Sequence, residues 1–218
     1  MDLTYLQNIT YPMLKGSLVT LSVFAITIII SIPLGFCFTL MARSRIRILN
    51  RIAEIYIYIL RGTPLLLQLM VVYFGLPLIP GIGKYLVFER YNAACIAFAL
   101  NYAAYFAEIF RSGLIAIDPG QYEATKVLGL TRFQTMIHVI IPQMIRVSLP
   151  TISNEAITLV KDTALVTVIG VTEILHYAKT AVNRDGDTFA FLVAAVIYLL
   201  INAVLTYIFK KLEKRYDF

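Results

Sequence analysis

Four stretches of this chain carry no charged side chain: Gly16–Ala42, Gly62–Gly83, Tyr91–Ala107 and Thr188–Phe209. A helix needs about 20 apolar residues to cross a bilayer. Three of the stretches reach that length, and the third reaches it when continued past Glu108. Soluble domains are about one quarter charged; here charged residues make up 15% and hydrophobic ones 59%. The pattern predicts an all-α integral membrane bundle. The first run is too long for the apolar core of a cleaved signal peptide, and its N-terminal flank carries Asp2 with a single lysine, Lys15. Cys37 and Cys95 lie inside apolar runs and read as small core residues without a disulfide.

The net charge of +6 has to be read by location. Arg43, Arg45, Arg47 and Arg51 follow the first run. Arg111, Lys126, Arg132 and Arg146 flank a central polar stretch, and Lys210, Lys211, Lys214 and Arg215 follow the last run. Lys15, Lys84, Arg90, Lys179 and Arg184 remain for the other side, with Arg61 and Lys161 at membrane depth. The positive-inside rule then places the first loop, the central stretch and the C-terminus in the cytoplasm, the N-terminus outside, and demands an odd number of spans. Charge split among membrane borders excludes nucleic-acid binding.

Five spans satisfy that count: 16–42, 55–78, 91–115, 143–174 and 188–209, in one transmembrane domain covering 1–218. Residues 1–15 form a short external lead. Arg43–Glu54 alternates Ile46, Leu49, Ile52 and Ala53 with arginines and predicts a helix on the inner interface. Pro64 biases Thr63 away from helix and predicts a kink or a helix restart within Arg61-Gly62-Thr63-Pro64. Glu108 and Arg111 share a helix face and read as an ion pair at the inner border. Span four is the least apolar. Asn154, Thr158 and Lys161 recur at helical spacing, with Glu155 and Asp162 on adjacent rows. Charges at such depth cost roughly 2.5–3.5 kcal/mol each on insertion scales, so they face protein or water.

Between spans three and four lies DPGQYEATKVLGLTRFQTMIHVIIP, Asp118–Pro142. Asp118 is a good N-cap, Pro119 suits the first helical position, Gln121 completes a capping-box pattern, and Gly129 supplies the stop. A helix at 118–130 is about 15 Å long and cannot span a membrane. It lies at the cytoplasmic surface, where a partner can dock.

Glu123-Ala124-Thr125, three residues, Gly129, nine residues, Val139, one residue and Ile141-Pro142 resemble the EAA loop of permease subunits of binding-protein-dependent ABC importers. Thr125, Val139 and Ile141 are small departures from that pattern. Arg61–Leu69, Ala104–Leu114, Gly120–Leu130 and Asn154–Ile174 are similar to the polar amino-acid branch of the family. The resemblance implies a permease dimer of two copies or of this chain with a paralogue, an ATPase subunit docked on each EAA helix, and an external substrate-binding protein. Gly120, Glu123, Ala124 and Gly129 would then couple to the ATPase. The chain itself has no G-x-x-x-x-G-K-[ST] motif (Gly83-Lys84-Tyr85 is the nearest), so ATP and Mg belong to the ATPase subunit and this chain is no enzyme.

A free amino acid carries both charges. Lys161 could take its carboxylate, Glu155 and Asp162 an amino or cationic side-chain group, and Gln68, Asn101, Asn154 and Thr158 could complete the wall. Two acids beside one base point to cationic amino acids. The same charges could instead pair with one another as structural glue. An ion-gradient-driven secondary transporter is the alternative, but such folds carry internal repeats and none is visible here. A membrane-embedded enzyme would need a nucleophile or metal set, and His138 and His176 stand isolated.

Overall fold

A computed structural model describes residues 3–216. Met1, Asp2, Asp217 and Phe218, part of the expected single domain, lie outside the described residues. The architecture is all-helical. Helix α1 spans Leu3–Ala42, α2 Arg47–Gly62, α3 Leu65–Met70, α4 Arg90–Ile115, α5 Pro119–Val127, α6 Arg132–Thr135, α7 Ile141–Asp162, α8 Ile174–Asp185 and α9 Phe189–Tyr216. Four helical segments are long and apolar enough to cross a membrane, and a bent pair gives a fifth.

Helix α1 starts at Leu3, so the lead expected at 1–15 is helical from there on. The reason is packing. Ile9 and Met13 are buried against Ile174, Ala178 and Ala194 of α8 and α9, and their spacing continues the buried row of α1. That row reads Gly16, Thr20, Val23, Thr27, Ser31, Gly35 and Thr39. Lipid offers apolar helices no hydrophobic reason to associate, so small residues and interhelical hydrogen bonds must draw them together. A Cβ at Gly35 would lie 2.8 Å from the Ala103 carbonyl oxygen of α4. One helical turn on, the Thr39 hydroxyl donates to the Ala107 carbonyl at 2.8 Å. The contacts Ser22–Tyr91, Gly35–Ala103 and Thr39–Ala107 rise in number together, so α1 and α4 run parallel. Helix α7 runs against α4, since Gly113 meets Ser148 and Tyr102 meets Asp162.

The expected kink at Pro64 is a full elbow. Arg47–Gly62 and Leu65–Leu78 meet at 107°. The helix restarts at Leu65, and the first turns of the expected span 55–78 belong to the amphipathic helix α2. Thr63 is extended at φ −122° and ψ 148°, as a residue before proline must be. The break frees backbone carbonyls, and in lipid these must be satisfied internally. Gln68 Nε2 donates to the Leu60 carbonyl at 2.8 Å and the Thr63 carbonyl at 3.1 Å. Asn101 Nδ2 donates to the same Leu60 carbonyl at 3.1 Å and to Gln68 Oε1 at 3.0 Å.

Two widened turns, Val71–Gly75 and Met136–Ile140, each precede a proline by two residues, Pro77 and Pro142. Proline has no N–H for the carbonyl four residues back and crowds it, so the ladder shifts register there. The expected span 143–174 is displaced for this reason: the helical run covers Arg132–Ile169 and stops at Gly170, φ +81°. The chain then forms α8, between the expected fourth and fifth spans.

Candidate functional site

Helix α5 closes both of its own ends. The Asp118 carboxylate accepts from the Gly120 N–H at 2.6 Å. At the other end the Leu130 N–H reaches the Thr125 carbonyl and the Gly129 N–H the Lys126 carbonyl, each at 3.0 Å. This double closure requires a left-handed residue, and Gly129 supplies it at φ +72°. The capping box expected from Gln121 does not form there. The Gln121 side chain instead accepts from Gln143 of α7 at 3.0 Å, and a complete box sits at the start of α6, between Thr131 and Gln134. Thr125, in the place of the second alanine of the pattern, is buried and donates its hydroxyl to the Tyr122 carbonyl. Gly120, Glu123, Ala124 and Gly129 are exposed. Beside them Val127, Leu128 and Phe133 are 88%, 75% and 73% exposed.

On the bundle surface, a cleft of about 520 Å³ opens between the end of α2, α4 and α7. Arg61, Tyr105, Glu108, Ser112, Thr151 and Glu155 line it. Arg61 lies over the Tyr105 ring at 5.6 Å and 3.8 Å from Glu108. Glu108 also holds Arg111 in a two-point contact. The expected Glu108–Arg111 pair is thus present, and Arg61 joins it from the elbow. Glu155 is half-buried, and among the described residues it has no ion-pair partner. One cation and two carboxylates therefore face a single cleft.

The structure divides the polar stripe of span four. Glu155 and Asp162 share the face towards α4, where Asp162 accepts from the Tyr102 hydroxyl at 2.7 Å. Lys161 points elsewhere. It lines a separate crevice of about 380 Å³ against α9, with Tyr198 and Asn202. Asn154 is exposed and Thr158 intermediate. Gln68 and Asn101 spend their amides on the elbow, as described above. Arg61 and Glu108 were visible in the sequence as charges at or near membrane depth; that they share a cleft with Glu155 depends on the elbow and on the α4–α7 packing.

A polytopic helical bundle with a mixed-charge cleft and an open surface helix is built as a membrane permease. Residues 31–218 match the family described as binding-protein-dependent transport system inner membrane component. The arginine transport system permease protein ArtQ of Bacillus subtilis is 39% identical over 93% of this chain and 91% of its own length. The octopine transport system permease protein OccM of Rhizobium radiobacter is 36% identical over 97% and 89%. The crystal structure of an amino acid ABC transporter with histidines superposes with a TM-score of 0.89 at 33% identity, covering 99% of each chain. This chain belongs to the binding-protein-dependent transport inner membrane components: it is a multi-pass inner-membrane permease subunit of an ABC importer, without catalytic chemistry of its own.

Proposed function

We propose that this permease carries a polar amino acid through the α2–α4–α7 cleft, driven by an ATPase subunit seated on α5. The observation that carries the coupling half is the state of α5. Its ends are closed and its caps satisfied, yet Val127, Leu128 and Phe133 stay open to solvent. Apolar side chains on a rigid polar helix are the usual core of a docking surface. Glu123 supplies the anionic contact, while Ala124 and Gly129 keep the approach close. ATP and Mg sit on the ATPase subunit.

For the substrate, Arg61 takes over the carboxylate role first assigned to Lys161. Its planar fork suits a carboxylate and it is the cation lining this cleft. Glu155 and Glu108 receive the ammonium or a cationic side chain, and Asp162 extends that acidic side. Two acids beside one base favour cationic amino acids, in keeping with relatives named for arginine and octopine. Asn154, Thr158 and Lys161, exposed or partly so on α7, face a second permease copy or paralogue, because a charge left to lipid is costly.

The sidedness follows the basic clusters: N-terminus outside, C-terminus and α5 in the cytoplasm, with the bent pair counted as one of five spans. A substrate-binding protein delivers from outside.

Uptake of arginine by the reconstituted transporter tests the cleft. Charge-assisted hydrogen bonds contribute about 1.5–3 kcal/mol, so Arg61→Gln should raise KM roughly 10- to 100-fold. The same variant should lose its discrimination against agmatine, which lacks the carboxylate. An unchanged KM and unchanged discrimination would remove Arg61 from the pathway.

A further inference from the structure

Helix α2 carries three distinct rows, one turned to the protein and two outward. Asn50, Ala53, Tyr56 and Leu60 seat it on the protein. Tyr56 donates to the Leu100 carbonyl at 2.6 Å and stacks on Phe38 at 3.8 Å, and Ala53 is wholly buried. A second row, Ile48, Ile52, Ile55 and Ile59, is exposed along its whole length. The third row is basic: Arg47 and Arg51 are exposed, and exposed Arg43 and Arg45 stand just before the helix. Arg51 meets Glu54 at 3.8 Å, in a pair left largely to solvent.

The isoleucine row ends in an apolar crevice. Ile59, Leu67, Val71, Val72, Ala97 and Leu100 line about 320 Å³ in the angle of the elbow. The polar groups at its rim, Thr63 and Gln68, are turned to the broken backbone. The crevice therefore offers an apolar guest contact and a polar guest nothing. Arg51 and Ile59 are eight residues apart, about 12 Å along the helix, and Arg47 and Ile59 about 18 Å. Half the hydrocarbon thickness of a bilayer is about 15 Å. One phospholipid matches that span.

The geometry points to a site for an anionic phospholipid on α2: its phosphate lies on Arg47 and Arg51, and one acyl chain follows the isoleucine row into the elbow crevice. Charge complementarity selects the occupant. The basic row has one acidic neighbour, Glu54, and a basic row beside an apolar one fits an anionic membrane surface. A two-fold related copy of this chain would present the same positive row to itself. The bound lipid touches α2, α3 and α4 together and braces the 107° elbow that holds Arg61 at the cleft.

Native mass spectrometry of the purified permease–ATPase complex tests this, with phosphatidylglycerol and phosphatidylcholine added in equal amounts. Wild type should retain phosphatidylglycerol at least five-fold over phosphatidylcholine. The Arg47→Gln/Arg51→Gln double variant, changed only at exposed positions, should bring the ratio close to one. Val71→Phe, which narrows the crevice from a half-exposed position, should lower retention of both lipids. Equal retention by wild type, or a double variant that keeps the wild-type ratio, overturns the proposal. So does a disulfide between two copies of an Ile52→Cys variant made in a Cys37→Ala background, because the row would then be covered by protein.

Discussion

Helices α5 and α8 are built alike and used differently. Each is short, each has an acidic N-cap, and each ends on a glycine with positive φ, Gly129 at +72° and Gly186 at +67°. They lie at opposite ends of the bundle: α8 packs on the N-terminal half of α1, while α5 leaves the C-terminal end of α4. Helix α8 is built into the protein. Ile174, Ala178 and Ala181 are buried, and a Cβ at Gly16 of α1 would lie 2.7 Å from the Glu173 backbone. Its cap, Glu173, is 0% exposed and accepts from Leu175 N–H, His176 N–H and the Tyr198 hydroxyl. Helix α5 buries Thr125 alone of its residues. Local closure makes both helices; tertiary burial decides which belongs to the bundle and which is left for a partner.

The comparison breaks first at Glu173. Glu173→Ala leaves two amides and one hydroxyl without their acceptor in a buried place. Each such loss costs about 1–3 kcal/mol, so the permease should melt well below wild type in detergent, with reduced yield. A melting point unchanged from wild type would show that α8 is not held through its cap. Gly129→Asp comes next. A left-handed residue other than glycine costs about 1–2 kcal/mol, and it falls on an exposed helix end. Fraying of that end relieves the strain, so the permease should lose a few degrees of melting point at most and lose the ATPase on co-purification, the reverse of the α8 variant. The smallest effect belongs to Tyr102→Phe. It removes one hydrogen bond to Asp162, and side-chain hydrogen bonds within membranes average about 0.6 kcal/mol. Stability should hardly change, and a large loss would mean that Asp162 carries structural weight.

What was legible in the sequence was what neighbouring residues decide. Pro64 announced the elbow, uncharged runs announced the spans, and Asp118 with Gly129 announced α5. Helix α8 was missed because its buried positions, Ile174, Ala178 and Ala181, are few and small among Lys179, Asn183 and Arg184. The roles of Gln68 and Asn101 were hidden for a different reason. The carbonyl they share, that of Leu60, is freed by a break some forty residues away from Asn101, so only the fold brings demand and donor together. The crevice that each of Lys161 and Arg61 lines was hidden in the same way. Helical spacing sets Glu155 and Asp162 beside the Asn154–Thr158–Lys161 row, but which cation faces Glu155 depends on where α2 ends.

The central claim is that α5 is the point where an ATPase acts on a chain that cannot hydrolyse ATP itself. Glu123→Lys tests it most directly, because Glu123 is exposed and its replacement leaves the caps of α5 intact. The measurement is substrate-stimulated ATP hydrolysis by the reconstituted complex, read beside the melting point of the permease. The account predicts a wild-type melting point with at least a ten-fold loss of stimulated hydrolysis. Full stimulation by Glu123→Lys would contradict it.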